Sequence, residues 1–203
     1  MATLSLTQFL TLDGVYQAPG GPDEDRSGGF EHGGWSVPYG DEDFLRRVEE
    51  IFARPTAFLL GRRTYDIFAA YWPDHDDPAD PVASKLNALP KYVATRTRDS
   101  ADWNRTTLLR GDAVQEVTAL KERLDGEIQM HGSGGLARTL LAHDLVDTLH
   151  LHVFPVVLGT GFRLFEEGAR PTAFRLTDAA VTGSGVALHT YERAGRPTYG
   201  SYG

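Results

Sequence analysis

Apolar and polar residues alternate along two long stretches of the chain. Thr3 to Leu10 (TLSLTQFL) has the two-residue period of a β-strand, and a turn follows it at Leu12. Asp147 to Leu158 (DTLHLHVFPVVL) first alternates and then becomes continuously apolar, which predicts a strand that begins half exposed and ends buried. Pro155 inside this run predicts a bulge or an edge position, because proline cannot donate to a strand ladder.

Helical spacing occupies the segments between the strands. Asp41 is placed to cap a helix that continues through Ala53, and a second helix is predicted from Asp112 to Leu124. Ala173 to Thr182 and Gly185 to Glu192 are predicted to pair as a closing hairpin. The pattern therefore predicts an α/β fold: a mainly parallel sheet with helices on both faces and a C-terminal antiparallel hairpin.

The 203 residues are enough for one domain, which we predict to span residues 1–193, with a loose tail over residues 194–203. Residues 17–40 are dense in glycine, proline and acidic side chains. A loop this long in a compact domain is usually a lid or disordered. Trp35 and its apolar neighbours give the loop something to bury, so we expect a partly ordered cover.

A short apolar strand inside Glu127 to Leu141 (EIQMHGSGGLARTLL) runs into Gly132-Ser133-Gly134-Gly135, and a helical pattern begins there, at Leu136. Such a turn leaves backbone N–H groups unpaired at the positive end of a helix dipole, where a phosphate can bind. Taken alone, the pattern is equally compatible with a strand-to-helix turn that binds nothing.

A second turn of the same kind raises the odds of an anion site. Thr56 to Phe68 contains an apolar strand, then Gly61, then Arg62, Arg63 and Thr64 at a helix start. The arginines carry planar forks of donors that suit a phosphate, and the Thr64 hydroxyl can bind phosphate or cap the helix. A third strand, residues 91–95, ends at Thr95 and is followed by Arg96.

Composition narrows the class of protein. The net charge is −8, from 28 acidic and 20 basic residues, which disfavours general attraction to nucleic acid or to anionic membranes. There is no cysteine, so disulfides, thiolate zinc sites and thiol catalysis are excluded. No signal peptide pattern and no apolar run of about 20 residues is visible, and we expect a cytoplasmic protein.

Histidines raise the question of a metal site. His150 and His152 are two residues apart and so lie on the same face of the predicted strand. Together with His189 they could form a three-histidine metal site. The simpler interpretation is that they are surface or cleft histidines on a polar face, and we therefore predict no metal site.

Four stretches, in this order, resemble the dihydrofolate reductase-like family. They are Leu12-Asp13-Gly14, Gly61-Arg62-Arg63-Thr64, Gly132-Ser133-Gly134-Gly135 and Pro155 to Gly161 (PVVLGTG). The branch resembled most is that of stand-alone proteins similar to the reductase domain of the bacterial riboflavin-biosynthesis deaminase/reductase (RibD). The resemblance covers residues 3–192 and implies a dihydrofolate reductase-like fold that binds NADPH.

The resemblance also implies roles for the glycine turns. Gly61 to Thr64 would hold the adenosine side of NADPH, with an arginine near the 2′-phosphate. Thr95 and Arg96 would flank the adenine and the 2′-phosphate. Gly132 to Leu136 would face the pyrophosphate and the nicotinamide, with Ser133 interrupting the usual glycine pair.

Candidate groups on the substrate side come from other segments. Asp13 and Asp41 are the candidate catalytic carboxylates, and Trp35, His152 and Pro155 are candidate substrate contacts. The pterin-binding acid of true dihydrofolate reductases follows a Trp-x-x-Pro segment, and Asp41 comes one residue later than that pattern requires. This departure argues against folate reduction.

The expected function is hydride transfer from NADPH to a small pyrimidine- or pterin-like heterocycle, or to an imine or carbonyl compound. The chain lacks the cysteines that the zinc deaminase of the bifunctional enzyme needs, so it would act as a free reductase. The alternatives are a nucleotide-binding protein without turnover, a metal-dependent hydrolase and a purely structural protein. We expect a homodimer, from the resemblance and from strand edges left free near the last hairpin.

Overall fold

A computed structural model describes residues 1–75 and 77–202. Its strands are β1 (Thr3–Thr11), β2 (Ala57–Gly61), β3 (Lys91–Ala94), β4 (Thr106–Leu109), β5 (Glu127–His131), β6 (Thr148–Phe154), β7 (Phe174–Val181) and β8 (Ala187–Arg193). They form a single eight-stranded sheet in the order β4-β3-β2-β5-β1-β6-β8-β7. The first six strands pair in parallel, and β8 pairs antiparallel with β6 and β7, which confirms the predicted sheet and its closing hairpin.

Within the described residues, five α-helices connect the strands. They are α1 (Glu42–Phe52), α2 (Arg62–Ala69), α3 (Pro81–Ala88), α4 (Ala113–Arg123) and α5 (Gly134–Ala142). Short 3₁₀ turns cover Ser27–Gly29, Val37–Tyr39 and Trp72–Asp74. Aspartates at the N-cap positions of α1, α3 and α4 accept hydrogen bonds from first-turn N–H groups, which is why these helices begin where they do. No helix in the described part of the chain combines the length and the apolar character needed to cross a bilayer.

The sheet separates two cores. Leu4 and Leu6 point to the face covered by α4 and α5, where they pack with Val117 and Leu140. Phe9 lies an odd number of residues away from both leucines along the strand, so it points to the opposite face, where it contacts α1. Helices α2 and α3 cover the same face as α1 beyond β2 and β3. Helices thus lie on both faces, as predicted.

Strand β6 ends earlier than the sequence predicts. Its ladder stops at Phe154, so Pro155 follows the strand, and the expectation of a bulge or an edge position was wrong. Without an N–H group, Pro155 cannot extend a strand that is paired on both sides. The chain turns there instead, and the N–H of Leu12 donates to the carbonyl of Val156 at 2.8 Å.

The long loop over residues 17–40 is an ordered cover. Trp35 is 7% exposed and packs edge-on against Phe154, with ring centroids 5.3 Å apart. Its indole N–H donates to the carbonyl of Gln17 at 2.7 Å. The Gln17 amide donates to the carbonyl of Ser27 at 2.9 Å and accepts from the N–H of Phe162 at 3.2 Å. Gln17 therefore connects both ends of the loop to the segment after β6.

The C-terminal tail is anchored at its start. Ala194 donates to the carbonyl of Ala173 at 2.8 Å, and the Arg196 guanidinium donates to Asp144 at 2.6 Å and to the carbonyl of Pro171 at 2.9 Å. Residue 203, which belongs to the predicted tail, lies outside the described residues. The tail prediction covers residues 194–203, and its first three residues pack on the domain.

A β-bulge between Leu176 and Asp178 shifts the register of the edge strand β7. On its two sides, Leu176, Ala179 and Val181 oppose alternate residues of β8, namely Tyr191, His189 and Ala187. The bulge thus keeps three apolar side chains on one face of the sheet. Leu176 is 50% exposed and Val181 is 70% exposed, so this face of the hairpin is open to solvent.

Candidate functional site

The two glycine turns lie side by side at the carboxyl edge of the sheet. Strands β2 and β5 are parallel neighbours, so the turns that follow them meet. The N–H of Gly61 donates to Ser133 Oγ at 2.9 Å, and the N–H of Ser133 donates to Thr64 Oγ1 at 3.0 Å. The hydroxyl of Ser133 therefore points toward β2, and the hydroxyl of Thr64 holds the turn after β5 in place.

The turn after β5 leads directly into α5. Gly132 and Ser133 both have left-handed backbone conformations, with φ of 57° and 55°. This conformation is unfavourable for serine, and its two hydrogen bonds compensate for it. A Cβ added at Gly135 would meet no atom within 4 Å. The first turn of α5 is thus open to a ligand at Gly135, where its N–H groups and helix dipole suit an anion.

Tyr16 covers the neighbouring position, which sequence reasoning missed. A Cβ added at Gly134 would overlap the Tyr16 ring, so the ring lies directly on the backbone at the start of α5. The ring also stacks with Phe162 at 6.4 Å between centroids. Burial raises the pKa of Tyr16, and the nearby Arg138 guanidinium opposes the rise. The glycine at position 134 was the only available signal, because it allows close approach of another group.

The arginines of the second turn are paired with carboxylates. Arg62 donates to Asp66 at 2.8 Å on the same helix. Arg63 donates to Asp25 at 2.8 Å, which fastens the cover loop to α2. Arg98, which the sequence analysis did not single out, also pairs with Asp66. An anionic ligand here would compete with Asp25 and Asp66 for these guanidinium groups.

The end of β3 borders a cleft. Thr95 is buried, and its hydroxyl accepts from the N–H groups of Thr97 and Arg98 at 3.2 and 3.1 Å. Arg96 is exposed. A cavity of about 790 Å³ lies between α2 and the β3–β4 connection and is lined by residues that include Tyr65, Asp66, Arg98 and Trp103. Its size would accommodate a nucleoside-sized group.

Asp13 anchors the segment after β6. Its carboxylate accepts from Thr11 Oγ1 at 2.6 Å, from the N–H groups of Leu158 and Gly159 at 3.2 and 2.9 Å, and from Arg163 at 3.2 Å. Burial alone would raise the pKa of Asp13, but the hydrogen bonds from Thr11, Gly159 and Leu158 outweigh it and lower the pKa to about 2. Asp13 is therefore ionised at neutral pH and holds no proton to transfer.

Asp41 has a similar set of partners. One carboxylate oxygen accepts from the N–H of Phe44 at 2.8 Å and caps α1, and the other accepts from the N–H of Ser184 at 2.7 Å in the β7–β8 turn. The hydrogen bond from Phe44 is the main cause of the lowered pKa of Asp41, and that from Ser184 adds to it. The side chain thus joins α1 to the final hairpin.

The predicted substrate contacts lie on one side of the sheet at different depths. His152 is 1% exposed, Trp35 is 7% exposed, and Pro155 is exposed. His152 stacks on Phe9 at 5.3 Å between centroids and meets Phe44 edge-on at 5.6 Å. Trp35 and His152 therefore belong to the interface between α1 and the sheet, and Pro155 lies at its rim.

The three-histidine metal site is wrong. His150 and His152 oppose Thr190 and Leu188 of β8, whereas His189 opposes Leu151. Since side chains alternate along a strand, His189 points to the opposite face of the sheet. Over residues 1–75 and 77–202, no three acidic or histidine side chains are grouped to hold a metal ion.

The interpretation of His150 and His152 as surface or cleft residues was also wrong. Both are buried beneath α1, because the register places them on the face of the sheet that α1 covers rather than on a solvent-exposed face. Burial lowers the pKa of His150 to about 4, and it lowers the pKa values of His152 and His131 to about 3. All three imidazoles are therefore neutral at physiological pH.

Known proteins with similar sequences or structures help to identify the fold. The chain is 29% identical over 154 residues to the uncharacterised protein YyaP of Bacillus subtilis, an overlap of 75% of this chain and 78% of YyaP. The fold is similar to that of a putative riboflavin biosynthesis protein from Shewanella sp. PV-4 (TM-score 0.67, 22% identity, 96% and 99% of the two chains). It is also similar to that of dihydrofolate reductase from Enterococcus faecalis in complex with NADP(H) (TM-score 0.59, 15% identity, 94% and 96%).

The architecture is thus dihydrofolate reductase-like, as the sequence predicts. A family profile described as the RibD C-terminal domain matches residues 2–188, nearly the whole chain. The chain belongs to the RibD C-terminal domain family.

Proposed function

We propose that the protein is an NADPH-dependent reductase that transfers hydride to a small heterocyclic, imine or carbonyl substrate. The observation that carries the proposal is the junction of the two glycine turns, where Ser133 joins Gly61 to the open N-terminus of α5. Such a junction gives a dinucleotide two anchoring points at one edge of the sheet. The family and the NADP(H)-bound neighbour support the choice of cofactor.

The residues at this edge fit the parts of NADPH. Gly132 to Leu136 would hold the pyrophosphate and approach the nicotinamide, because the first turn of α5 offers N–H groups and open space at Gly135. Gly61 and Thr64 would support the same region from β2. The nucleotide itself supplies the hydride, and the chain binds it, orients it and excludes water.

The charged side chains would bind the adenosine half. Arg62, Arg63 and Arg96 are the candidates for the 2′-phosphate, with Thr95 beside the adenine. A phosphate has more negative charge than the carboxylate of Asp25 or Asp66, so it would draw an arginine away from these partners. The cleft lined by Tyr65, Asp66, Arg98 and Trp103 lies next to these groups and has room for a base.

The carboxylates in this proposal shape the substrate side of the site. Asp13 fixes the segment that follows β6, and Asp41 fixes the start of α1, so both set the positions of Trp35, His152 and Pro155 on the substrate side. With Asp13 ionised, the proton that accompanies the hydride would come from solvent. We further propose that the protein is cytoplasmic and that its substrate is related to the intermediates of riboflavin synthesis.

A homodimer is also part of the proposal. Its support is the open face of the final hairpin, where Leu176, Ala179 and Val181 lie together and exposed. Exposed apolar patches on a folded domain commonly mark contacts with another chain.

The test is a titration with NADPH and with NADH, followed by tryptophan fluorescence and melting temperature. We expect tighter binding of NADPH, and we expect Arg62→Ala to remove the preference without abolishing binding of NADH. Arg46→Ala is the matched control, because Arg46 is an exposed helix arginine on α1 paired with Asp43. If neither nucleotide binds, the proposed function is wrong.

Substrate screening then separates the reductase from its rival. Oxidation of NADPH in the presence of pyrimidine, pterin or carbonyl compounds would establish turnover. Tight NADPH binding with no oxidation by any of them would favour the alternative, a nucleotide-binding protein without catalysis.

A further inference from the structure

A row of polar side chains lies in the otherwise apolar interface between α1 and the sheet. The strand register places them on one face and burial exceeds nine-tenths for each; the residues are Ser5, Thr7, Gln129, His131, His150 and His152. Buried polar groups in a folded protein almost always have hydrogen-bond partners. The partners of this row therefore show which of its members serve only the fold.

Most of the row is paired within the protein. Gln129 and His131 hydrogen-bond to each other at 3.2 Å. His150 lies between Arg54, at 2.9 Å from Nε2, and Thr190, at 3.0 Å from Nδ1. These groups need no ligand.

Two members of the row are different. Within residues 1–75 and 77–202, neither Thr7 Oγ1 nor either ring nitrogen of His152 has a hydrogen-bond partner. Thr7 is 5% exposed and His152 is 1% exposed, so solvent does not satisfy them. Gln8 Oε1 is also unpartnered, but it lies on the opposite face of the sheet. Such atoms destabilise the ligand-free fold, because each has lost its hydration without gaining a partner.

The unpartnered atoms lie close to the glycine turns. The carbonyl of Thr7 accepts from the N–H of Gly132 at 3.2 Å, so Thr7 is joined directly to the turn proposed to bind NADPH. Thr7 opposes His150, and two residues further along the strands Phe9 opposes His152. Thr7 and His152 are therefore diagonal neighbours on two parallel strands, with Cα atoms about 8 Å apart.

The surroundings of these two side chains are aromatic. Phe9 stacks on His152 with an interplanar angle of 23°, and Phe44 meets it edge-on at 79°. Flat rings of this kind favour a planar ligand. Phe44 is 8% exposed and closes the interface, so a ligand would enter by displacing its ring.

Among the residues that the structure describes, no unpaired charged side chain faces the unpartnered atoms. Asp13 and Asp41 direct their oxygens to backbone N–H groups of other segments. The arginines nearest to the row, Arg47 and Arg54, pair with Asp178 and Glu127. A neutral imidazole and a hydroxyl each offer one donor and at least one acceptor. This set complements a neutral carbonyl or N–H group and offers no counterion to a charged ring.

We propose that Thr7 and His152 hydrogen-bond the substrate, and that the substrate is an uncharged, planar ring compound that carries a carbonyl group next to an N–H or a second carbonyl. This proposal rests on the proposed function, because it takes NADPH as the hydride donor. NADPH would supply a hydride to the carbonyl carbon and be oxidised to NADP⁺. The C=O π pair would move to the oxygen, which would take up a proton from solvent, and the product would be the alcohol.

The probe is isatin, a neutral planar lactam with a reducible ketone, compared with isatin-5-sulfonate, which has the same ring and a fixed negative charge. We expect NADPH-dependent reduction of isatin and at least about tenfold lower kcat/KM for the sulfonate. Thr7→Val and His152→Phe keep the shapes of the side chains and remove their polar atoms. Each should lower kcat/KM for isatin about tenfold and leave the Kd for NADPH unchanged.

Thermal stability separates recognition from packing. If the two side chains serve a ligand, removing their unpaired atoms should leave the melting temperature unchanged or raise it while activity falls. Variants that bind NADPH and reduce isatin as the parent protein does would overturn the proposal, as would equal reduction of the sulfonate. If NADPH does not bind, the proposed function has failed. Calorimetric titration of isatin into the parent protein and into Thr7→Val then tests this proposal by itself. It is overturned if isatin does not bind to the parent protein, or if it binds equally to both.

Discussion

Ser133 Oγ accepts a hydrogen bond from the N–H of Gly61 at 2.9 Å and so connects the turn after β5 with the turn after β2. The same residue donates its own N–H to Thr64 Oγ1 at 3.0 Å. The serine that interrupts the usual glycine pair thus has a structural purpose. It fixes the distance between the two turns proposed to bind one dinucleotide.

Replacing Ser133 by alanine should leave the N–H of Gly61 without its acceptor. We expect Ser133→Ala to lower the free energy of unfolding by about 1–2 kcal/mol and to weaken NADPH binding. Urea denaturation and nucleotide titration would measure the two effects. Ser100→Ala, at an exposed position in the β3–β4 connection, is the control. Unchanged stability in Ser133→Ala would contradict the role of the hydroxyl.

Two adjacent glycines at the start of α5 should respond oppositely to substitution. Gly134→Ala places a methyl group on the Tyr16 ring and should destabilise the fold by about 1–3 kcal/mol. Gly135→Ala meets open space and should be neutral or stabilising by up to about 1 kcal/mol, because alanine favours helices. In a double-mutant cycle, Tyr16→Ala should recover much of the loss caused by Gly134→Ala. Equal effects at the two glycines would show that Tyr16 does not lie on Gly134.

Acid should destabilise the protein through its buried histidines. The pKa values of His131, His150 and His152 are lowered to between about 3 and 4, against 6.5 for the free side chain. Below pH 6.5 the unfolded chain binds protons that the folded chain does not, so the stability present above pH 6.5 is lost as the pH falls toward 4. The slope is about 1.4 kcal/mol per pH unit for each histidine.

Urea denaturation between pH 7.5 and 4.5 would measure this slope. His152→Phe should reduce it by the share of one histidine, while His143→Gln, on the exposed end of the α5 segment, is the control. A slope that His152→Phe does not change would mean that His152 is protonated in the folded state.

Asp13 should matter for stability more than for proton transfer. Asp13→Asn weakens the hydrogen bonds to Gly159 and Arg163, and we expect a loss of about 1–2 kcal/mol at neutral pH. Since the pKa of Asp13 is lowered from 3.8 to about 2, its contribution is present above pH 3.8 and lost as the pH falls toward 2. The pH profile of kcat should be the same in Asp13→Asn; a lost ionisation would identify Asp13 as a proton donor.

The open face of the hairpin should determine the oligomeric state. Leu176→Asp introduces a charge on that face and should convert the proposed dimer to a monomer in sedimentation equilibrium. Ala180→Asp introduces the same charge on the same strand, but Ala180 opposes Leu188 and so points to the other face. A dimer that survives Leu176→Asp and dissociates in Ala180→Asp would show that the contact uses the other face of the hairpin. A monomeric parent protein would refute the dimer.

The sequence predicts the fold largely because its signals are local. The alternation in β1, the cap at Asp41 and the glycines after β2 and β5 each act within a few residues, and each is found where expected. The end of β6 is less predictable, since the run after Phe154 remains apolar. There, Val156 and Leu158 pack against the cluster that contains Trp35, while Val157 is 65% exposed, so an apolar composition does not distinguish this loop from a strand.

The misses in the site come from contacts between distant segments. The face on which His189 lies depends on which residue of β8 opposes Leu151, and no local pattern encodes that register. Likewise, the position of Tyr16 on Gly134 joins residues 118 positions apart. In the sequence, Lys91 resembles an ordinary charged residue at the end of a strand. In the structure it is buried, and its amine donates to the carbonyl of Leu86 at 2.7 Å.

Gln17 makes the loop over residues 17–40 and the segment around Phe162 a single mechanical unit. Its backbone holds Trp35, its amide group holds Ser27, and its side-chain oxygen holds the N–H of Phe162. A pull that lifts the loop from the sheet is therefore transmitted to Phe162 and to Tyr16 stacked beside it. We therefore expect any movement that lifts residues 17–40 from the sheet to expose the start of α5 as well, because the Tyr16 ring covers Gly134.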